Sequence, residues 1–491
     1  MTLDGVADRR LHPATFLIRA VRTLPQYALG LPALVSTLSD ARSQGIFLAL
    51  LGGIALALAS GFLVWWRFRY GVGPAEVVIE SGVLHRQRRV IPIDRIQDID
   101  IEQGLLARLF GTAKVRIETG GSAKDEGNLD SVSLEDAHRL RELLRRRRAA
   151  DGASVPAEEE KEPVIFSMDV KRVLLAGLFN FSLVFLAVLF GSLEYVETLF
   201  GFDPLKMEWV APLRGLAASV TWGLTALAIL FVLLIGIVAG ILRTLARDFG
   251  FRLTRTAGGL RRRRGLFTLS EVVIPFRRVQ LALIRSGPVA RHFGWHRLEF
   301  QTLSADAAKG GHQVAAPFAR MEEVLQVLGE VHAPPLPREE EYVRVSKRHI
   351  LRQSLRWALQ LAVPVAVTAV IWPPALAFLL LLPLLAGGAA LQWKHHRYCL
   401  TPNALHVRHG LLSRRLWIVP YERIQALAVD QGPLQRRLGL ASLAIDTAGA
   451  SLFRAPVIVN LPAGEADRLA ARLLADHKSA RERLRMLRDR R

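Results

Sequence analysis

The sequence holds one cysteine, Cys399, among 491 residues, so no disulfide can form within the chain and no disulfide-stapled fold is open to it. A lone thiol fits a reducing compartment. There is no His-Glu-x-x-His pair, no glycine loop opening a helix to cradle phosphate, and no nucleophile elbow. Gly71-Val72-Gly73 comes closest to a phosphate loop, yet it leads into a strand-like run. These gaps remove the usual sequence grounds for a zinc hydrolase, a nucleotide enzyme or a serine hydrolase. No catalytic, cofactor or metal residue is nominated. Aromatic residues do not interleave with basic ones and no recognition module is visible, which argues against nucleic acid as a partner. The polar start, MTLDGVADRR, is not closely followed by an apolar run with a small-residue cleavage site, so no cleaved signal peptide is expected.

Charge is also missing, but only locally. The whole chain carries 65 Lys+Arg against 44 Asp+Glu, a net +21, alongside 51% hydrophobic residues. A soluble globule seldom needs both, and here the two are segregated. Ile46–Trp66, Val173–Leu193 and Leu216–Leu242 contain no Asp, Glu, Lys or Arg. Each has the ~20 apolar residues needed to cross ~30 Å of hydrocarbon. Pro373-Pro374 divides another apolar stretch into Leu355–Ile371 and Ala375–Leu391, read as a tight hairpin of two short spans; one bent re-entrant element is the alternative. Arg356 lies near an end, where it can snorkel. Phe16–Leu38 carries Arg19, Arg22, Pro25 and Pro32, and either crosses or lies in the interface as a basic amphipathic segment. Pairing elsewhere favours crossing. The expectation is six transmembrane helices in three hairpins. The basic residues in the turns inside the pairs are Arg42, Lys206 and Arg214 alone. The positive-inside rule then places both termini and all soluble segments on the cytoplasmic side of a multi-pass inner (plasma) membrane protein.

What the sequence has most plainly is an internal repeat. Three windows of 38 residues, starting at Gly82, Gly265 and Gly410, align without a gap and share eight identical columns. The first copy carries Gly82, Pro92, Arg95, Gln97, Gly104, Arg108, Gly111 and Thr119. The second has Gly265, Pro275, Arg278, Gln280, Gly287, Arg291, Gly294 and Thr302. The third has Gly410, Pro420, Arg423, Gln425, Gly432, Arg436, Gly439 and Thr447. Duplication is the sensible account.

The repeated unit exceeds the window. An apolar pair and a short exit (FRYGV, FRLT or RYCLT) precede each copy, and a helical pattern follows at Ser133–Arg148, Ala319–Val331 and Ala463–Lys478. Acidic, proline-containing linkers, VPAEEEKEPV and APPLPREEEY, lie between units. The expected order is hairpin 11–68, domain 69–150, linker 151–166, hairpin 167–246, domain 247–334, linker 335–349, hairpin 350–395, domain 396–480 and a basic tail 481–491.

Within each copy, Ile-Pro-x-x-Arg-x-Gln sits among β-branched and alternating residues, which predicts strand; its proline points to a bend or an edge. Glycines at fixed offsets mark turns or close backbone approaches. Gly104–Gly111 is expected to connect strands compactly, with one helical turn, and after Thr119 the pattern changes to a helical period through Leu134, Ala137, Leu140, Leu143 and Leu144. The fold class is therefore an α+β membrane protein: six transmembrane helices plus three small β-barrels or sandwiches, each closed by a C-terminal helix.

The succession of Gly, Ile-Pro-x-x-Arg-x-Gln (Ile91 to Gln97), Gly-Pro-Leu-x-Arg-x-x-Gly (Gly432 to Gly439) and a strand ending at Thr447-Ala448-Gly449 resembles the bacterial pleckstrin-homology-like domain of the YdbS/YdbT-type membrane proteins. The resemblance covers all three soluble units. The first copy departs at Leu105, where the others have Pro288 and Pro433; the second departs after Thr302, at Leu303 and Ser304. It implies a bent antiparallel barrel capped by a helix. It implies no established catalysis and carries over no phosphoinositide motif.

Other groups are weighed by their context. Asp98, Asp100 and Glu102 alternate on a strand face, but the other copies place Leu281, Leu283 and Arg285, then Ala426, Ala428 and Asp430 there, so a solvated face is expected. His292 and His296 straddle a turn glycine, and His395-His396 are expected at the membrane interface. The basic runs Arg145, Arg146, Arg147 and Arg148, Arg261, Arg262, Arg263 and Arg264, and Arg481–Arg491 lie near a membrane surface, where anionic lipid attracts each residue by about 1 kcal/mol. The first two runs are the candidate anionic-lipid contacts, with topology enforcement as the plainer reading. The identical arginines are expected to serve structure, by bonding a loop carbonyl or a carboxylate. The expected function is a non-enzymatic membrane-anchored scaffold or lipid-surface and protein-docking module of the cell envelope, partnered by membrane lipids and a protein in the same membrane. A transport or export subunit is the alternative, which needs polar groups facing a shared cavity; a membrane enzyme is third.

Overall fold

The computed structural model describes residues 9–21, 23, 42–73, 76–82, 85–119, 127–150, 162–180, 222–302, 312–449 and 455–489. Contacts divide the chain into two units, Met1–Arg252 with Arg261–Val273, and Leu253–Leu260 with Ile274–Arg491.

Each repeat contributes seven strands. The first holds β1 (Arg9–Arg10), β2 (Arg69–Val72), β3 (Glu76–Ser81), β4 (Gln87–Pro92), β5 (Ile96–Gln103), β6 (Thr112–Thr119) and β7 (Gly127–Ser133). The second holds β8 (Val164–Ser167), β9 (Arg252–Thr256), β10 (Gly259–Arg264), β11 (Leu269–Pro275), β12 (Val279–Ser286), β13 (His296–Thr302) and β14 (His312–Ala319). The third holds β15 (Val343–Arg344), β16 (Arg397–Leu400), β17 (Ala404–His409), β18 (Arg414–Pro420), β19 (Ile424–Asp430), β20 (Leu440–Thr447) and β21 (Val457–Pro462). A helix closes each: Leu134–Ala150, Met321–Glu330 and Ala463–Asp489.

In the first unit, β1-β2-β3-β4 form one antiparallel sheet, and β7-β6-β5 run side by side in a second. Strand alternation sends Ala113, Val115 and Ile117 of β6 inward. They meet Val77, Ile79, Ile91, Ile99 and Ile101, and the helix residues Ala137 and Leu140 close this core. In the second unit, one sheet has the order β14-β13-β12-β18-β17-β16-β15 and another is β19-β20-β21. The architecture is α+β, with four strands, three strands and a C-terminal helix in each repeat.

The sequence pattern shows no strand between Thr119 and the closing helix, and here the structure differs. β7, β14 and β21 fill that interval. Their patterns are uneven because bulges interrupt the register, as between Ala113 and Val115 opposite β7.

The repeated glycines separate into two kinds. Gly82, Gly265 and Gly410 have φ of +101°, +117° and +109° in the tight turn between the third and fourth strands of their repeats, and a Cβ there would collide with the carbonyl of His85, Thr268 or Ser413. Gly104, Gly287 and Gly432 have ordinary φ, near −70°. Gly265→Ala should therefore lower stability by about 1–3 kcal/mol, and Gly287→Ala by less than about 1 kcal/mol, the scale of an N-cap change. Thermal unfolding of the two purified variants measures the difference. The prolines Pro92, Pro275 and Pro420 end the fourth strands and cap short 3₁₀ turns, Ile93–Arg95, Phe276–Arg278 and Tyr421–Arg423, that swing the chain into the next sheet.

The strand before each apolar segment belongs to the same sheet as the strand after it. Arg9 pairs with Tyr70 and Arg10 with Arg69; Val343 pairs with Tyr398 and Arg344 with Arg397. In the middle repeat the Met168 N–H donates to the Phe251 carbonyl at 3.0 Å. Each apolar segment is thus inserted between two paired strands of one sheet.

Three helices among the described residues are long and apolar enough to cross a membrane: Leu230–Asp248, Arg348–Ile371 and Pro373–His395; a shorter apolar stretch is Leu51–Arg67. That is three, against six expected. Most of Phe16–Leu38 and the second half of Val173–Leu193 lie outside the described residues. Leu230, Phe231, Leu234, Val367, Val370, Ile371 and Leu384 are exposed, so the long helices show apolar side chains outward. A hydrocarbon solvent explains such a surface. The break after Ile371 opens a 3₁₀ stretch, Pro373–Leu381, that folds back along the preceding helix.

Candidate functional site

The surfaces that do recognisable chemical work are the junctions between repeats. In the first unit, β5 of repeat one pairs antiparallel with β11 of repeat two: Leu269 with Gln103, Ser270 with Glu102 and Glu271 with Ile101. Glu271 accepts from Arg141 Nη1 at 2.6 Å, and its carboxylate also lies 3.7 Å from Arg261 Nε. Both partners of the Arg141–Glu271 pair are largely shielded from solvent, which strengthens it over an exposed ion pair. Arg108 Nη1 donates to the Leu266 carbonyl at 3.0 Å.

In the second unit, β12 of repeat two pairs with β18 of repeat three over Ala282–Ser286 and Arg414–Ile418. The register is the same as in the first junction. Ser270, five residues after Gly265, faces Glu102, twenty after Gly82; Arg415, five after Gly410, faces Arg285, twenty after Gly265. Leu281 and Leu283 join the third repeat's core beside Trp417 and Tyr421. Gln301, fully buried, donates to Thr447 Oγ1 at 2.9 Å and to the Ala448 carbonyl at 3.0 Å. Arg423 Nη1 donates to the Arg277 carbonyl at 3.2 Å. A groove of about 410 Å³ runs along this junction, lined by residues including Phe276, Pro335, Asn403, Pro420 and Arg483.

The identical arginines thus sit at junctions where a neighbour exists. Arg108 and Arg423 bond a carbonyl of the adjoining repeat, Arg278 is buried, and Arg291 lies close enough to Arg414 to perturb it electrostatically. Arg95 and Arg436, on the outer copies, are exposed. Gln280 is buried and donates to the Arg278 carbonyl at 3.2 Å, whereas Gln425 is exposed; Thr302 and Thr447 are buried, and the side chains of Gln97 and Thr119 lie outside the described residues.

The basic runs differ from a uniformly exposed patch. Arg261 pairs with Glu162 at 3.1 Å, Arg264 with Asp248 at 3.0 Å, and Arg262 is buried in β10; Arg263 is exposed. Arg145, Arg146, Arg147 and Arg148 continue the first repeat's helix, with side chains outside the described residues. Asp100, expected on a solvated face, is buried opposite Arg116. Among the described residues no three or more His, Cys, Asp or Glu side chains are grouped so that they could hold a metal ion.

His396, at the end of the last apolar helix, is fully buried at the foot of the third hairpin, with its ring 5.8 Å from His349 and 5.2 Å from His409. Burial holds its pKa well below the ordinary histidine value. Asn460, fully buried at φ +63°, completes the cluster. Its Oδ1 accepts from Arg352 Nη1 at 2.8 Å and Gln435 Nε2 at 2.9 Å, and its Nδ2 lies 2.9 Å from His349 Nδ1. The network ties the hairpin's first helix to β21.

Two further ties recur that lie outside the aligned windows. Trp65 Nε1 donates to the Leu11 carbonyl at 2.9 Å, and Trp393 Nε1 to the Val345 carbonyl at 2.8 Å. Tyr70 donates to Asp136 at 3.3 Å and Tyr398 to Glu465 at 2.7 Å. Extending the alignment upstream finds this signal, since each Trp stands five residues before its Tyr.

Repeated four-plus-three strand units with closing helices define a class of PH-like membrane protein. Residues 20–148, 174–334 and 358–477 match the family model of the bacterial PH domain, and the chain belongs to that family. It is 25% identical over 461 residues to the UPF0699 transmembrane protein YdbT of Bacillus subtilis (strain 168), covering 87% of this chain and 90% of the relative. Over 83 residues it is 32% identical to the UPF0699 transmembrane protein YdbS of the same organism, covering 17% of this chain and 48% of that relative. No solved structure matches. The chain is a membrane protein with PH-like domains in three repeats.

Proposed function

We propose that the chain is a non-enzymatic, membrane-anchored docking platform of the cell envelope, whose three PH-like domains face the cytoplasm and bind through their strand edges. The observation that carries this reading is the edge-to-edge pairing of consecutive repeats in one register. A domain edge that recognises another strand by backbone hydrogen bonds is a protein-binding surface.

The paired strands flanking each hairpin support six spans. Strands bonded to one another lie on one side of the membrane, so the chain between them crosses an even number of times. Helix Arg42–Arg67 then needs a partner, which Phe16–Leu38 supplies. Helix Trp222–Asp248 packs on Val170–Leu178 at Gly177 and Gly240, with Asn180 Nδ2 donating to Thr244 Oγ1 at 3.1 Å. The basic flanks favour the inner side for the domains. There Arg263 and the 145–148 run add attraction to anionic lipid.

Topology tests the reading. In a Cys399→Ser background, Lys206→Cys should react with a membrane-impermeant maleimide on intact cells, and Gly152→Cys should react only after permeabilisation. Labelling of Gly152→Cys on intact cells overturns the cytoplasmic platform.

A further inference from the structure

The two junctions use one edge from each repeat, and the chain leaves one of each kind over. Repeat one offers its β5 edge to repeat two, but its own β4 ends the sheet β1-β2-β3-β4. Repeat three offers β18 to repeat two, but its β19 ends the sheet β19-β20-β21. No strand among the described residues pairs with either outer edge. The positions buried in the internal junction are open here. Ala282, Leu283 and Ile284 of β12 are buried, while their counterparts Ala428 and Val429 of β19 are exposed and Leu427 is half-buried. Leu416 and Trp417 of β18 are buried, while their counterparts Arg88 and Arg89 of β4 are exposed. Arg95 and Arg436, whose equivalents bond across the internal junctions, are exposed on these same two outer repeats.

Resting on the docking reading above, we propose that β19 pairs with β4 of a second copy of this chain, so that molecules join head to tail through a third junction. The internal register fixes which residues meet. Asp430 faces Gln87, Val429 faces Arg88, Ala428 faces Arg89 and Leu427 faces Val90. Asp430 then lies diagonally across from Arg89, where opposite charges on neighbouring strands attract. Arg95 of the second copy reaches the Glu422 carbonyl of the first, as Arg423 reaches Arg277 within the chain. The interface is heterologous: the patch on one copy differs from the patch it meets, which propagates rather than closing as a two-fold dimer.

Directly facing residues in an antiparallel ladder have Cα atoms about 4.5–5.5 Å apart, within disulfide reach. Full-length Cys399→Ser chains carrying Arg88→Cys are co-expressed with longer-tagged Cys399→Ser chains carrying Val429→Cys, and isolated membranes are oxidised with copper–phenanthroline. The expected result is a reducible dimer of one long and one short chain. Replacing Val429→Cys with Gln425→Cys, four residues out of register, should reduce that dimer at least fivefold. Both sites are exposed, and melting equal to the parent marks the chains as folded. Only monomer, equal crosslinking of the two pairs, or dominant same-chain-type dimers through Arg88→Cys would overturn the proposal. The maleimide pattern is read in parallel on intact cells expressing the Lys206→Cys and Gly152→Cys chains. Monomer with the expected pattern removes self-assembly and leaves the platform; labelling of Gly152→Cys on intact cells removes the platform itself.

Discussion

Asn460→Ala is expected to destabilise the third repeat by about 3–4 kcal/mol. Three costs combine at one residue. Its Oδ1 accepts from the Arg352 guanidinium at 2.8 Å and from Gln435 at 2.9 Å in a fully buried site. A hydrogen bond to a charged group contributes ~1.5–3 kcal/mol, and a buried donor left without an acceptor costs a further ~1–3 kcal/mol, the two overlapping in part. The backbone at φ +63° adds its own penalty, because asparagine tolerates the left-handed region better than alanine. Asn460→Gly relieves that last cost and loses the same bonds, so it should be milder by about 1 kcal/mol. Denaturation of the purified chain, followed by a fluorophore at the hairpin foot, gives both values. Equal losses in the two variants would show that the backbone conformation contributes nothing.

Acid is expected to weaken the third repeat between about pH 6.5 and pH 4, and His406→Gln to remove a large part of that dependence. His406 is fully buried in β17, facing Ile418 across the ladder, and burial pushes its pKa down to about 4. Its folded pKa lies below the unfolded one, so the unfolded chain binds the proton first as pH falls. Stability is therefore full above about pH 6.5 and drains away down to about pH 4. The full shift corresponds to about 3 kcal/mol for this one group. His396 and His409, lowered by the same cause, titrate in the same direction. Melting midpoints of parent and His406→Gln at pH 7.5, 6, 5 and 4.5 should converge as pH falls. Parallel curves would remove His406 as the source.

Much of this architecture is legible in the sequence, for reasons that particular residues show. Gly82, Gly265 and Gly410 occupy a turn no side chain fits, and the prolines ten residues on end a strand. Such local constraints survive duplication and reveal the repeat. The one-turn connection at Leu105–Leu109 and the closing helices follow from short-range pattern. The seventh strands are not legible, because bulges break the alternation that marks a strand. Edge pairing between repeats is hidden for a different reason: a ladder is made by backbone groups that every residue carries, so Glu271 gives no sign that its strand lies against Ile101. The burial of His396 is not legible either, because a histidine beside an apolar run gives no sign that the Val459 N–H, sixty-three residues later, reaches its ring. The Trp65 and Trp393 ties lie upstream of the repeated glycines, where the copies share too few residues to reveal them.

The placement of each apolar segment between paired strands of one sheet sets the order of events during synthesis. β1 leaves the ribosome first, but its partner β2 follows only after the intervening hydrophobic segments have emerged. Arg9 cannot meet Asp136 until the closing helix is also made. Membrane integration is therefore a step inside the folding of each soluble domain, and not a separate anchoring event completed beforehand. A span that stalls in the translocon holds β1 and β2 apart and leaves an incomplete sheet exposed to proteolysis. Quality control of the lipid-embedded segment and of the water-soluble one becomes a single checkpoint, passed three times along the chain.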